Sequence, residues 1–584
     1  MRRINQKIDR TLDLVLKLPE ERKQRSRCLK TGFQTLTDTW EVVVKYSGKD
    51  IKKIAKELNA NIEILSGKFA ILTIEEEKIY LLSQYDEVEY IEKPRRLISS
   101  INTRRKYNLD GLQTHFIEEL KGEGVIIGII DSGIDYNHPN FINEDGTTRI
   151  ISIWDQSVAE GEPPRAFKKG TEWTRKDINQ ALKNLEKNKG LSVVQHVDAL
   201  GHGTCIAEIA ASNGRANGGK YLGLAPEAEL IIVKLGSREG EVFSKTTDFM
   251  RAMRYLVDKA KKLNRPIVIN GNYEINEGAR DGNSLFENFM DEILDEWKIT
   301  GVAAAGKGRN KGHHFRGKVE GEEEIEVKLE VGKEERLITL EIWKNFYDIL
   351  HFELISPHGY TTGRMKSDEE LYKINLDNLE CYVCFNEPNQ YDKGQRGYIL
   401  ILPKKDSIKE GVWKLKIYGK NIVDGSLDIW LPTKEIADLE TKFLKEDLNK
   451  AIKIPDAASK IITVGSYAPL TNNVCDFSGK ESLKEVDSIM KPEIVTPYGN
   501  IINPINKIDN KSLIDPGIST AYVTGAAALL MQWGIVKGND SELYGDKVKK
   551  YLAEGAMRKD KNLSFPNTRW GFSNLWLENS LEMV

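Results

Sequence analysis

At 584 residues the chain is long for one domain, and two or three are expected. A hydrophobic fraction of 40% and a charged fraction of 30% describe an ordinary globular protein with ample core, and a formal net charge of -3 excludes a global pull towards nucleic acid or membrane. Five cysteines, an odd number without framework spacing, point to a reducing compartment rather than a disulfide scaffold.

The first residues, MRRINQKIDRTLDLVLKLPEERK, include basic side chains but neither a continuous apolar core nor a small-residue cleavage site, which predicts no secretory signal. No stretch approaches the roughly 18 apolar residues that a membrane span needs. A helix is predicted over Ile4–Leu18, followed by a charged loop. Next come a strand at Trp40–Tyr46, a helix at Ile51–Leu58, and strands at Ile62–Leu65 and Phe69–Ile74. A helix at Glu75–Ser83 and a last strand at Glu87–Ile91 complete the series. This β-α-β-β-α-β order is that of a small ferredoxin-like domain. The polar, basic stretch Lys93–Tyr107 reads either as a processing segment or as a solvated linker.

Gly122–Ile130 is a fully buried strand by its pattern, ending at Asp131. Similar apolar runs at Ala228–Leu235, Pro266–Asn270, Thr300–Ala305, Lys460–Val464 and Glu493–Val495 alternate with helical patterns, as in a parallel α/β sheet. Sites form at the carboxyl ends of such strands. Asp131 taken alone reads as a helix cap or as a site carboxylate. Between Gly317 and Leu431 the pattern changes to many short strand candidates separated by turns, an all-β sandwich or jelly roll. Cys381 and Cys384 form a CxxC there, but nothing nearby completes a zinc or redox site, so both read as strand residues. A helical pattern at Lys434–Ile452 leads back to the α/β region. No loop has a run of alternating carboxylates that predicts calcium, and no cofactor or metal is expected.

Three stretches carry chemistry: GIIDSGIDYNHPNF at Gly128–Phe141, DALGHGTCIAEIAA at Asp198–Ala211, and KSLIDPGISTAYVTGAAALLMQW at Lys511–Trp533. A glycine-rich turn opening a buried helix can expose a nucleophile, and helix N-terminal amides stabilise negative charge beside it. Together the stretches resemble the three catalytic blocks of subtilisin-like serine proteases, in the chain order Asp, His, Ser. The resemblance implies Asp131 and His202 as retained triad members. In that family a helix glycine follows the serine by eight positions. Counting back from Gly525 puts Gly517 in the nucleophile position, after Asp515-Pro516 instead of Gly-Thr. Ser519 is the alternative nucleophile, but two helical residues rotate a side chain by about 200°, away from the histidine.

Two further departures are expected to matter. Where the family carries Ala-Gly-Asn, whose amide donates to the oxyanion, this chain has Gly306-Lys307. A lysine's flexible stem is poor preorganisation for that task. The segment Asn272, Tyr273, Glu274 corresponds to the strand that pairs with substrate backbone, and Glu274 stands where the family's small glycine admits substrate. KIITVGSYAP, DFSGK, KPEIVTP and FPNTRWGFSNL resemble the remaining core blocks.

The expected boundaries are 1–96 for an N-terminal helix and prodomain, 97–316 and 436–584 for the subtilase core, and 317–435 for the inserted sandwich. This combination is similar to the Csp germination proteases of spore-forming clostridia. In that family an active member cuts the pro-piece from a cortex-lytic zymogen, while the CspC and CspA types relay germinant signals as pseudoproteases. The resemblance implies an inactive member residing in the spore, with Csp-type proteins and the zymogen as partners and its own prodomain retained in the cleft. An active endopeptidase using Ser519 is the alternative, and a subtilase-fold protein outside sporulation a third.

Overall fold

The apolar runs of TWEVVVKY and FAILTIE build the first sheet and are buried along most of their length. The computed structural model describes residues 6–23, 29–99, 119–185, 193–220, 222–236, 244–275, 283–306, 312–367, 371–386, 394–405, 407–432, 440–445, 457–468, 473–474, 490–497, 516–558 and 562–583. It divides into two units. One comprises Met1–Arg96, Ile275–Leu285 and Asn310–Asn449, the other Leu97–Glu274, Phe286–Arg309 and Lys450–Val584.

In the first unit, Thr39–Tyr46 pairs antiparallel with Val88–Glu92 on one side and Phe69–Glu75 on the other, and Asn61–Ile64 closes the far edge. Helices Ile51–Glu57 and Glu76–Leu82 bury Ile51, Ile54, Ile79 and Leu82. This is the expected ferredoxin-like order. The N-terminal helix starts later than its apolar pattern predicts, at Arg10. Asp9 caps it, its carboxylate accepting from the backbone N–H groups of Thr11 and Leu12. The segment before the cap bonds to the sheet instead, with Ile91 donating to the Lys7 carbonyl and Asp9 to that of Ile91.

The same unit contains two antiparallel sheets. Six strands run in the order His314–Lys318, Ser426–Trp430, Ile338–Lys344, Gln395–Pro403, Leu379–Phe385, Leu371–Leu376. Five run in the order Met365–Lys366, Ile349–Ile355, Gly411–Asn421, Glu324–Val331, Lys442–Phe443. Their inner faces share one apolar core that includes Phe352, Leu415, Ile399 and Val383. This is a β-sandwich. The outer face of the six-stranded sheet carries Tyr382, Cys384, Tyr398, Leu400 and Leu402 into a second cluster with Leu12, Val15, Val42 and Leu72 of the N-terminal domain. A buried ionic node accompanies it. Arg396 Nη1 lies 3.2 Å from Asp9 Oδ1 and Nε lies 3.1 Å from Glu341 Oε1, with the guanidinium over the Trp343 and Tyr398 rings.

The CxxC sits in Leu379–Phe385, where an odd spacing sends the two side chains to opposite faces. Cys381 enters the sandwich core and Cys384 the second cluster, so the motif presents no paired thiols. Burial pushes both thiols up to about 12. Both are expected to resist a thiol reagent at pH 8 until the chain is denatured. Labelling faster than unfolding would show that the strand opens.

The second unit is a parallel α/β core. Ile461–Ala468, Ile299–Ala304, Ile267–Gly271, Ile126–Asp131, Glu229–Lys234 and Ile150–Asp155 lie side by side, with Ile494–Pro497 also parallel to Ile461–Ala468. Ile150–Asp155 and its antiparallel partner Thr171–Thr174 were not anticipated, because Ser152 and Asp155 interrupt the apolar run. The helix Pro516–Met531 is buried almost all round, as its lack of a polar face requires. The sequence blocks Lys434–Ile452 and DFSGK (Asp476–Lys480) fall wholly or largely outside the described residues. Among the described residues no helix is long and apolar enough to cross a membrane, and no group of three or more His, Cys, Asp or Glu is placed to hold a metal ion.

Candidate active site

Asp131 ends the central strand Ile126–Asp131, which has a parallel neighbour on each side. His202 opens the helix His202–Ala211 after Gly201, whose φ of 74 is a left-handed conformation natural to glycine. His202 Nδ1 donates to Asp131 Oδ1 at 2.7 Å, and both side chains are essentially unexposed. Strand and helix can meet this closely because a Cβ on Gly203 would lie 2.1 Å from the Gly133 carbonyl oxygen. Asp131 also accepts from the Ser132 N–H at 2.7 Å and, more distantly, from Asn272 Nδ2 at 3.4 Å.

Asp198, to which the sequence assigns no role, fastens the two elements. Its carboxylate accepts from Ser132 Oγ, the Gly201 and Thr204 N–H groups and Thr204 Oγ1, at 2.7 to 3.0 Å. Ser132 Oγ in turn accepts from the Gly203 N–H, and Thr204 Oγ1 from that of Asp135. Its position just ahead of a helix start, among side chains able to cap, was the available signal. Burial would raise the Asp198 carboxyl, but the bonds from Thr204, Ser132 and Gly201 hold it below the usual carboxylate range. A depressed carboxyl contributes stability above its unfolded value near 3.9, and that contribution is lost as pH falls through the folded value. Asp198→Asn is therefore expected to cost about 1–3 kcal/mol at pH 7 in chemical unfolding. The deficit should shrink as the buffer is taken below about pH 4; an equal deficit at both pH values would mean that the charge is not what holds the turn.

Gly517 lies in the first turn of Pro516–Met531, and no side chain is offered to His202 from that position. Ser519 is fully buried, and its Oγ is 2.7 Å from Ser466 Oγ. Close packing sets the helix in place: a Cβ on Gly525 would meet Leu224 Cβ at 2.6 Å and the Ala210 carbonyl at 3.1 Å. Asp515 lies outside the described residues, as does Lys307, although the strand Ile299–Ala304 leading to it is described.

The three substrate-binding candidates separate. The Asn272 side chain enters a buried amide–hydroxyl network. Its Nδ2 donates to Asn270 Oδ1 at 2.8 Å, and its Oδ1 is 3.1 Å from Thr520 Oγ1. Asn270 Nδ2 bonds to the hydroxyls of Thr520 and Thr524, and Thr520 Oγ1 is 2.6 Å from the Gly517 carbonyl. The network thus links the Gly517 turn to the back of Asp131. Tyr273 and Glu274 are both buried and form a short strand, pairing antiparallel with the chain's own Ile98–Ser99. Just before that pairing, Leu97 is buried and donates its N–H to the Ser244 carbonyl at 2.8 Å. Ile98–Ser99 is thereby one of the elements of this site.

Residues 6–95 match the family model of the Csp protease B prodomain, and residues 122–311 match that of the subtilase family. The solved structure of the CspB protease of Clostridium perfringens is 31% identical, covers 80% of this chain and 94% of that one, and superposes with a TM-score of 0.71. A subtilisin of Bacillus sp. (strain TA39) is 26% identical over 191 residues, 33% of this chain and 36% of that protein. Subtilisin-like protease SBT1.9 of Arabidopsis thaliana is 33% identical over 128 residues, 20% of this chain and 17% of that protein. The chain therefore spans little more than a third of these two curated relatives at most. By its prodomain, its core and its likeness to CspB over nearly the whole of that protein, the chain belongs to the subtilase family, in the group of the Csp proteases.

Proposed function

We propose that this subtilase is a pseudoprotease of spore germination signalling. On this reading it regulates or scaffolds an active Csp-type paralogue that activates a cortex-lytic zymogen. The observation that carries the proposal is Gly517, eight residues before the packed helix glycine Gly525. A serine triad forms its acyl-enzyme on a hydroxyl that the histidine deprotonates, and a glycine has none to give. Ser519 is a poor substitute, because it is buried and its hydroxyl is engaged with that of Ser466. Lys307 in the proposed oxyanion position weakens the site further. The pairing of Ile98–Ser99 with Tyr273–Glu274 supports a cleft occupied by the chain's own prosegment tail. The inserted sandwich is read as the jelly roll of that group.

The retained Asp131–His202 pair favours a second reading, an active endopeptidase that cuts the cortex hydrolase propeptide through Ser519. The two readings differ in the fate of the segment around residues 93–107. Expressed alone in a heterologous host, an inactive chain keeps the full-length mass by intact mass spectrometry. Release of the N-terminal domain, abolished by Ser519→Ala, would establish the active reading and end the pseudoprotease one.

A further inference from the structure

A second buried carboxylate–imidazole pair lies beneath the turn that carries Asp131. His196 Nδ1 is 2.8 Å from Asp155 Oδ2, and both side chains are wholly shielded from solvent. On the other edge of the ring, His196 Nε2 accepts the Ile134 backbone N–H at 3.0 Å. A backbone N–H can only donate, so Nε2 carries no proton and the ring's single proton sits on Nδ1, facing Asp155. The contact is close enough to exclude a side chain between them: a Cβ on Gly133 would lie 2.6 Å from His196 Cε1, and Gly133 has a φ of 120. Lys234 Nζ stands 3.4 Å from Asp155 Oδ2 and donates to the Val197 carbonyl. Burial would push the Asp155 carboxyl up, but the His196 ring, Lys234 and Ser157 hold it down to about 2.

We propose that Asp155 and His196 are a positioning pair that sets the turn Asp131–Ile134, and through it the hydrogen bond between His202 and Asp131. The pair acts at one end of a four-residue turn whose other end is Asp131. Asp155 fixes the tautomer and tilt of His196, as a carboxylate behind a ligating histidine does in other sites. His196 then fixes the Ile134 N–H. A ring placed there for packing alone would leave that buried N–H without its acceptor. The groups facing His196 are Asp155 and Lys234 from neighbouring strands, the Trp173 ring from the edge strand, and the Gly133–Ile134 backbone. Asp198, two residues along, turns to Ser132 instead. The inference holds for an active or an inactive subtilase, so its failure is separate from that of the function proposed above.

The test is made on the full chain labelled with nitrogen-15 histidine, with the His202 Nδ1–H resonance assigned from its loss in His202→Gln. In His196→Leu, that resonance should shift or vanish while far-ultraviolet circular dichroism is unchanged. Hydrogen exchange of the peptide containing Ile134, read by mass spectrometry, should be roughly tenfold faster. His196→Gln, which can accept from Ile134 and donate to Asp155, should restore both readouts. An unmoved His202 resonance in folded His196→Leu overturns the proposal. If that variant does not fold, Asp155→Asn decides: removing the carboxylate behind His196 Nδ1 should shift the His202 resonance, and an unmoved resonance in that folded variant overturns the positioning role.

Discussion

Gly517→Ser is expected to create a residue that reacts with a fluorophosphonate probe, whereas the unaltered chain gives no adduct at any serine. Removing the nucleophile of a serine triad lowers turnover on the order of 10⁶-fold, because the histidine and aspartate act only through that hydroxyl. On the proposed reading Asp131 and His202 are the other two members: His202 Nδ1 is 2.7 Å from Asp131 Oδ1, and Asp198 fastens the surrounding turns. On the function proposed above, which puts the nucleophile position at 517, a hydroxyl there meets an oriented base. Recovery of peptide hydrolysis should nevertheless be partial. One missing oxyanion donor costs about 10²–10³ in turnover, which is the deficit expected from Lys307 at the proposed oxyanion position. Tyr273–Glu274, proposed as the strand that pairs with substrate, is also already paired with Ile98–Ser99, so on that reading an external peptide must displace it. The measurements are the mass of the labelled peptide and hydrolysis of a peptide library. An adduct on Ser519 of the unaltered chain would refute the argument from helix phase.

Arg396→Ala should destabilise the first unit by about 3–5 kcal/mol in chemical unfolding, as expected when one partner of a buried ion cluster is removed. Asp9 and Glu341 would be left as buried anions, and the Trp343 and Tyr398 rings would lose the guanidinium they cover. Arg396→Lys should rescue little, because an ammonium reproduces neither the two-pronged contact nor the stacking. The deficit has a pH signature. Burial raises the Asp9 carboxyl, but Arg396, Arg95 and Thr11 hold it below its ordinary value. Its contribution is present above the unfolded value near 3.9 and lost as pH falls through the folded one. The difference between variant and parent should therefore be largest near neutrality and narrow in acid. A deficit under about 1 kcal/mol, within the range of an exposed pair, would show that the node is not desolvated.

The sequence by itself determined much of the scaffold. Apolar runs alternating with helical patterns placed the ferredoxin-like strands and the parallel core to within a few residues. The Asp131 and His202 blocks were legible because their glycines answer local steric demands, as Gly203 does against the Gly133 carbonyl. The eight-residue spacing from Gly517 to Gly525 is likewise local, a matter of helix phase. Where a local competitor acted, pattern alone failed: the Asp9 cap cut short the first helix, and Ser152 and Asp155 hid an inner strand.

Only the tertiary structure decided which distant polar groups meet. Asn270 and Thr524 are 254 residues apart, Asp155 and His196 are 41 apart, and Asp9 and Arg396 are 387 apart. The two faces of the CxxC strand, and the merging of the N-terminal domain with the sandwich around one apolar cluster, belong to the same class. The reason is physical. Periodicity and turn chemistry are written in neighbouring residues, because they reflect backbone geometry over one or two turns. A buried polar pair leaves no periodic trace. It requires only that each group find some partner once water is excluded, and the strand order and helix packing of the folded chain choose which one.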